Sequence, residues 1–173
     1  MRKHLVALGV AAIFLASCSA PSTQPAATTA APAATSASAS PTPTPTPTQA
    51  ADATAVATEL RAKVTSITGV TTVTEALDSN KLLGRPNQYT SLAWITDAGG
   101  KPGETGTDGG AVVEVFANEA DATARSEYIL GILKKAGPAF GTEWHHQKGN
   151  VLLRVNGVLS PSVNDQYKAA FGS

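Results

Sequence analysis

GAVVEVFANEADATARSEYILGILKKAGP, Gly110 to Pro138, sets a strand and the strongest helix of the chain side by side. In its first part Val113 and Val115 alternate with Glu114 and Phe116, and β-branched residues dominate, so Gly110 to Ala117 reads as a strand. The period then changes. Asn118 is a natural N-cap, and Glu119 and Asp121 put negative charge at the positive end of the helix dipole. Ala122, Ile129, Ile132, Leu133 and Ala136 form an apolar stripe with Tyr128 at its edge, a pattern that calls for burial. Lys134 and Lys135 complement the far end, and Gly137-Pro138 stops the helix.

Working outward, YTSLAWIT (Tyr89 to Thr96) is a second strand rich in β-branched and aromatic residues. The intervening DAGGKPGETGTDGG, Asp97 to Gly110, has six glycines and a proline in fourteen residues. Glycine at that density makes any fixed conformation entropically costly, so a hairpin with a long mobile loop is expected. Beyond the helix, TEWHHQ (Thr142 to Gln147) and NVLLRVN (Asn150 to Asn156) flank Lys148-Gly149 as a second hairpin. Ser160 caps and Pro161 opens a terminal helix on which Val163, Tyr167 and Phe171 face one way. Upstream, DATAVATELRAKVTSITG places Val56, Leu60, Val64 and Ile67 at helical spacing, capped by Asp52 or Thr54 and ended by Gly69. Val70 to Gln88 reads as mostly irregular. Antiparallel hairpins packed against helices on one face give a single two-layer α+β domain over residues 52–173.

The residues before it differ in kind. From Ser19 to Ala51 the chain uses only Ala, Ser, Thr, Pro and Gln. Such a segment buries too little to offset its ordering entropy, and residues 18–51 are expected to be a disordered tether. PTPTPTPT within it is biased toward polyproline II, and its Ser/Thr/Pro content also suits an O-glycosylated stalk. Ahead of the tether, Arg2, Lys3 and His4 precede an apolar run, Leu5 to Leu15, of signal-peptide length and well short of the ~20 residues that span a bilayer. Leu15-Ala16-Ser17-Cys18 closes that run.

This arrangement resembles the signal and lipobox of bacterial lipoproteins. The resemblance implies a signal peptide over residues 1–17, a diacylglyceryl group on the Cys18 sulfur, and an extracytoplasmic protein held by its lipid on the outer face of the cytoplasmic membrane. Cys18 is the single cysteine, so no disulfide framework competes for it. Two acyl chains, at roughly 0.8 kcal/mol per buried methylene, anchor a protein stably. A second resemblance rests on LLGRPNQYTS (Leu82 to Ser91) and VEVFANEADATARSEYI (Val113 to Ile129), which look like small secreted lipoproteins of high-GC Gram-positive bacteria. It implies a compartment and one compact domain, and no activity.

The precursor carries thirteen basic and thirteen acidic residues, and loss of Arg2 and Lys3 with the signal leaves eleven basic ones. With no basic stripe, nucleic acid is not an expected partner. His145 and His146 are adjacent on a strand and point to opposite faces, so they cannot chelate one ion together, and no metal is expected. Asp97, Glu104 and Asp108 offer calcium-type oxygens at a spacing that fits no calcium loop. No G-x-S-x-G elbow, P-loop or G-x-G-x-x-G is present, and Ser91 or Ser126 beside a histidine has no sequence support as a nucleophile. No cofactor is expected beyond the covalent diacylglycerol on Cys18. The candidate recognition face is Tyr89, Trp94, Trp144 and His146, provided one side of the sheet is free of helices; otherwise both tryptophans fill the core.

Two functions stay open from sequence. One is a non-enzymatic binding or accessory module of the cell envelope, whose partner is an envelope protein or cell-wall component. The other is a cell-surface enzyme acting on peptidoglycan or peptide. The lipobox reading has its own test. Cys18→Ala is expected to abolish incorporation of radiolabelled palmitate in the native host, and normal labelling of that variant would contradict it.

Overall fold

β3 (Gly110–Val115) lies at the centre of a sheet in which it pairs antiparallel with β2 (Ser91–Asp97) on one side and β5 (Val151–Asn156) on the other. β1 (Ile67–Thr72) continues the sheet beyond β2, and β4 (Glu143–Lys148) continues it beyond β5, giving the order β1-β2-β3-β5-β4. The computed structural model describes residues 51–172; the readings made for the signal, for Cys18 and for all of the tether but Ala51 lie outside the described residues. The chain is α+β, one antiparallel five-stranded sheet with α1 (Ala53–Lys63), α2 (Glu119–Ala136) and α3 (Pro161–Gly172) in a single domain.

The helical layer on one face is α1 and α3. Ala53, Ala57, Leu60 and Val64 from α1 and its C-cap, with Tyr167 and Phe171 from α3, meet Ala93, Ile95, Val113, Leu153 and Val155 from the sheet. Every residue of β3 and of β5 is buried, because both central strands are covered on both faces. On the second face Leu92, Val112, Phe116 and Leu152 pack with Tyr89, Val73 and Ala122 of α2. The sequence reading gathered all helices on one face. α2 lies on the other, along β4 and β5, because its polar side chains are bonded to that face, as described below.

Local chemistry sets the element ends. The Asp52 carboxylate accepts from the backbone N–H of Thr54 at 2.8 Å and of Ala55 at 3.0 Å, and Asn118 accepts from Asp121 N–H at 2.9 Å. α1 stops at Lys63, earlier than its apolar spacing indicated, because Val64 is already extended and the β-branched residues after it favour strand geometry. Ile67 thus begins β1, a strand that the sequence reading divided between the helix and an irregular stretch. α2 also differs from expectation. Ala122 and Ile129 are buried, whereas Ile132 is 45 % exposed.

Asp97 ties the first face together. Its buried carboxylate accepts from Ser66 Oγ at 2.7 Å, Tyr167 Oη at 2.9 Å and Gly99 N–H at 2.9 Å. Burial and the Asp97 charge push the Tyr167 phenol well above its ordinary value. The loop after Asp97, expected to be mobile, folds back on itself and on the sheet. Lys101 N–H donates to Asp108 O at 2.9 Å, a 3-10 turn runs over Gly106–Gly109, and Asn156 Nδ2 donates to Thr107 O at 2.9 Å. The return into β3 needs glycine: Gly110 has φ 150°, and a Cβ there would lie 2.6 Å from Asp97 Cβ and 2.8 Å from Asp97 N. Gly110→Ala is therefore expected to lower stability by about 2–3 kcal/mol. Urea unfolding checks this, and a wild-type midpoint would contradict the close approach.

Candidate functional site

α2 covers only half of the second face. Gln147 Nε2 donates to Thr123 Oγ1 at 2.9 Å, Ser126 Oγ lies 2.7 Å from His145 Nδ1, and Arg125 reaches Glu114 at 3.3 and 3.4 Å. These contacts draw the helix toward β4 and β5. Above Trp94 on β2 the helix does not reach, and a cleft of about 520 Å³ forms there, extending to Val112 and Glu114 of β3. Leu92, Trp94, Val112, Glu114 and Arg154 line it from the sheet; α2 supplies Arg125, Tyr128, Ile129 and Ile132. Residues 78–82 and the turn from Thr105 to Asp108 close its ends.

Its sheet side holds a buried ion cluster. Glu114 and Arg154 are 1 % and 8 % exposed, at the middle of otherwise apolar strands. Arg154 gives Nη1 to Glu114 at 2.9 Å, and Nε and Nη2 to the two oxygens of Glu143 at 2.8 and 2.9 Å. The two-pronged geometry suits a planar guanidinium and is among the stronger forms of charged hydrogen bond. Burial alone would push the Glu143 carboxyl up, but hydrogen bonds from His145 and Arg154 and the Arg154 charge hold it down to about 2. Burial alone would lower the Arg154 guanidinium, and Glu143 and Glu114 more than reverse that.

The wall at residues 78–82 is built around one carboxylate. Asp78 accepts from Asn80 N–H at 3.0 Å, Leu82 N–H at 2.7 Å, Leu83 N–H at 2.9 Å and the Tyr89 hydroxyl at 2.9 and 3.0 Å. Burial opposes its ionisation, and these donors outweigh burial and hold Asp78 below its ordinary value. Burial and Asp78 push the Tyr89 phenol far up. The tight loop carries Lys81 and Asn87 at φ 55° and 60°, left-handed conformations that its hydrogen bonds must hold.

The structure does not bring the four residues of the sequence-derived recognition face together. Trp94 lines the cleft. Tyr89 is fully buried beneath its end, with Phe116 edge-on at 6.2 Å and the Arg125 guanidinium 5.7 Å from its ring centroid. Trp144 and His146 are on the opposite face. Trp144 packs against the α1/α3 core, and His146 Nε2 lies 2.8 Å from Asn164 Oδ1 on α3. The period of two explains the split, since Trp94 is registered with Val112 and Trp144 with Val155, one position out of phase. The same rule sends His145 and His146 to opposite faces, as their adjacency required.

Sequence reasoning gave no support to one arrangement that the fold creates. With Glu143 accepting at His145 Nε2, 3.0 Å away, a neutral imidazole leaves Nδ1 free to accept the Ser126 hydroxyl. A serine, a histidine and a carboxylate in relay have the composition of a nucleophile site. This relay lacks the rest of one. Ser126 sits inside α2, where neighbouring backbone N–H groups are consumed by the helix and cannot hold an oxyanion. Neither Ser126 nor His145 lines the cleft, and the His145 side chain is 5 % exposed. The relay clamps α2 to β4. Arg125 and Tyr128, which do line the cleft, were also passed over. The available signal was a glutamate and an arginine, Glu114 and Arg154, each set inside an apolar strand.

No protein-family model matches the chain, and neither curated proteins nor solved structures give a significant match.

Arg154→Met removes the guanidinium from Glu143, which keeps only His145, and leaves Glu114 with Arg125 alone, and is expected to cost about 3–5 kcal/mol at neutral pH. In the native protein Glu143 titrates at about 2 against 4.5 for an ordinary glutamate. Its stabilisation is therefore complete above that ordinary value and is lost as pH falls toward 2. In the variant, burial without the Arg154 charge raises the Glu143 carboxyl, so its penalty is relieved as pH falls to the ordinary glutamate value, while the native stabilisation is lost below that value; the two stabilities should converge on acidification. Urea unfolding against pH checks this; a constant deficit would contradict the cluster as its source.

Proposed function

We propose that this chain is an extracytoplasmic lipoprotein, anchored through diacylglycerol on Cys18 to the outer face of the bacterial cytoplasmic membrane. Its α+β domain serves there as a non-enzymatic binding module of the cell envelope. The observation that carries the binding reading is the cleft over Trp94, a concave site walled by α2, residues 78–82 and the Thr105–Asp108 turn. Its size falls in the range of small-ligand and fragment sites, roughly 300–1,000 Å³. Its lining joins an aromatic floor to groups that donate and accept hydrogen bonds, the mixture that gives recognition sites both area and direction. The anchor rests on the lipobox resemblance and on the lone cysteine.

The enzyme alternative draws on the Ser126–His145–Glu143 relay, whose closure against β4 speaks for a structural role. Cross-linking in the intact envelope, with the protein at its own expression level, separates the two readings. Trp94→Ala is expected to reduce capture of the partner at least tenfold. Trp144→Ala, altered on the other face, is expected to retain capture in the molecules that fold. Ser126→Ala is expected to leave capture unchanged. Hydrolysis of isolated peptidoglycan or peptide by the native chain that a folded Ser126→Ala variant has lost, with capture intact, would instead favour catalysis.

A further inference from the structure

We infer that the cleft over Trp94 takes an uncharged carbohydrate, a short stretch of a neutral glycan chain; the inference rests on the binding-module reading above. Charge decides the class. Every charged side chain that lines the cleft is already matched inside the protein. Asp78 accepts from three backbone N–H groups and the Tyr89 hydroxyl. Asp108 pairs with Lys101 at 2.9 Å. Glu114 receives both Arg125 and Arg154, and Arg154 is shared with Glu143. A phosphate or an acidic polymer would have to compete with Glu114 and Glu143 for the guanidiniums, and a cation with the guanidiniums for the carboxylates. Breaking the buried pairs of Glu114, Glu143 and Arg154 from one side is strongly unfavourable, and only the exposed Lys101–Asp108 pair at the rim is cheap to open.

What the cleft still offers is neutral. Among the lining residues Ser79, Asn80 and Thr105 carry hydroxyls and an amide, Thr107 carries a hydroxyl that accepts from Arg154 Nη2 at 3.5 Å, and Trp94 and Tyr128 carry rings. Tyr128 is 62 % exposed and stands beside the buried Ile129 on the helical wall. Rings combined with neutral donors and acceptors match a sugar, which has an apolar C–H face to lie on an aromatic plane and hydroxyls at its edge. A hydrocarbon chain fits less well, since Glu114 and Arg154 lie in the floor.

The test titrates the full chain, held in detergent, with a tetramer of β-1,4-linked N-acetylglucosamine and a hexamer of α-1,4-linked glucose. Polyphosphate and oligolysine serve as charged comparisons. Calorimetry is expected to give a Kd below about 1 mM for at least one neutral oligosaccharide. That affinity is expected to change less than about twofold between roughly 50 and 500 mM salt, because no ion pair is formed or broken. Trp94→Phe should weaken it several-fold, and Tyr128→Ala, a change on an exposed side chain that leaves the core intact, at least threefold.

Binding confined to the charged probes, sensitive to Trp94 and to salt, would overturn the carbohydrate class and leave the binding-module reading standing. Absence of binding by either neutral oligosaccharide to the folded chain would also overturn it. If, in addition, Trp94→Ala left envelope cross-linking unchanged, the binding-module reading would fall with it.

Discussion

Arg154 imposes the condition that shapes the second face of the sheet. β5 is a fully buried strand, and a guanidinium in its middle cannot be left without partners, since the desolvation of an unpaired charge exceeds what a small domain can bear. Glu114 on β3 and Glu143 on β4 meet that need from either side. Glu114 in turn receives Arg125, which draws α2 in, and Glu143 receives His145, which meets Ser126 of the same helix. One buried cation thus links two neighbouring strands and the helix above them. Because the network pulls α2 toward β4 and β5, the area above Trp94 stays open.

Each face of the sheet also carries a buried tyrosine hydroxyl donated to a buried aspartate. Tyr167 and Asp97 join α3 to the end of β2, and Tyr89 and Asp78 join the start of β2 to the wall of the cleft. In both pairs the phenol is pushed up, so it remains the donor and the aspartate the acceptor. Asp97 also accepts from Ser66 and Asp78 from three backbone amides, so each carboxylate gathers a segment that apolar contacts alone would leave loose. The cleft over Trp94 is bordered by such hydrogen-bonded turns, while its helical wall is held by the Arg154 network.

Most of the architecture was legible because its signals are local. Asn118 at the cap of α2, Pro161 at the start of α3, and Gly149 at the turn after β4, one residue later than the Lys148-Gly149 turn expected, each act over a few residues. Ile67 was misassigned because helical spacing and β-branching competed there, and the extended backbone at Val64 decided for the strand. The site was harder to read. Strand periodicity separates Trp94 from Trp144 only once register is known, and register depends on pairing distant in sequence. Glu114 looked like the polar half of an alternating strand, a reading that holds at the edge of a sheet and fails at its centre. Asp78 gave no sign of its role, because its partners are backbone N–H groups that any sequence possesses.

The way the chain enters the domain has a mechanical consequence. Residue 51 leads directly into α1, which is held by the burial of Ala53, Ala57 and Leu60 and by the bond from Ala53 N–H to Ser91 Oγ at 3.0 Å. α1 is not a rung of the sheet. A pull on residue 51 therefore loads side-chain packing on the first face before it loads any interstrand ladder, and the cleft is on the second. Tension would peel α1 away while β2, β3 and β5 kept their pairing. Under such a pull the helix would act as a fuse in series with the load, and the cleft would sit outside that circuit.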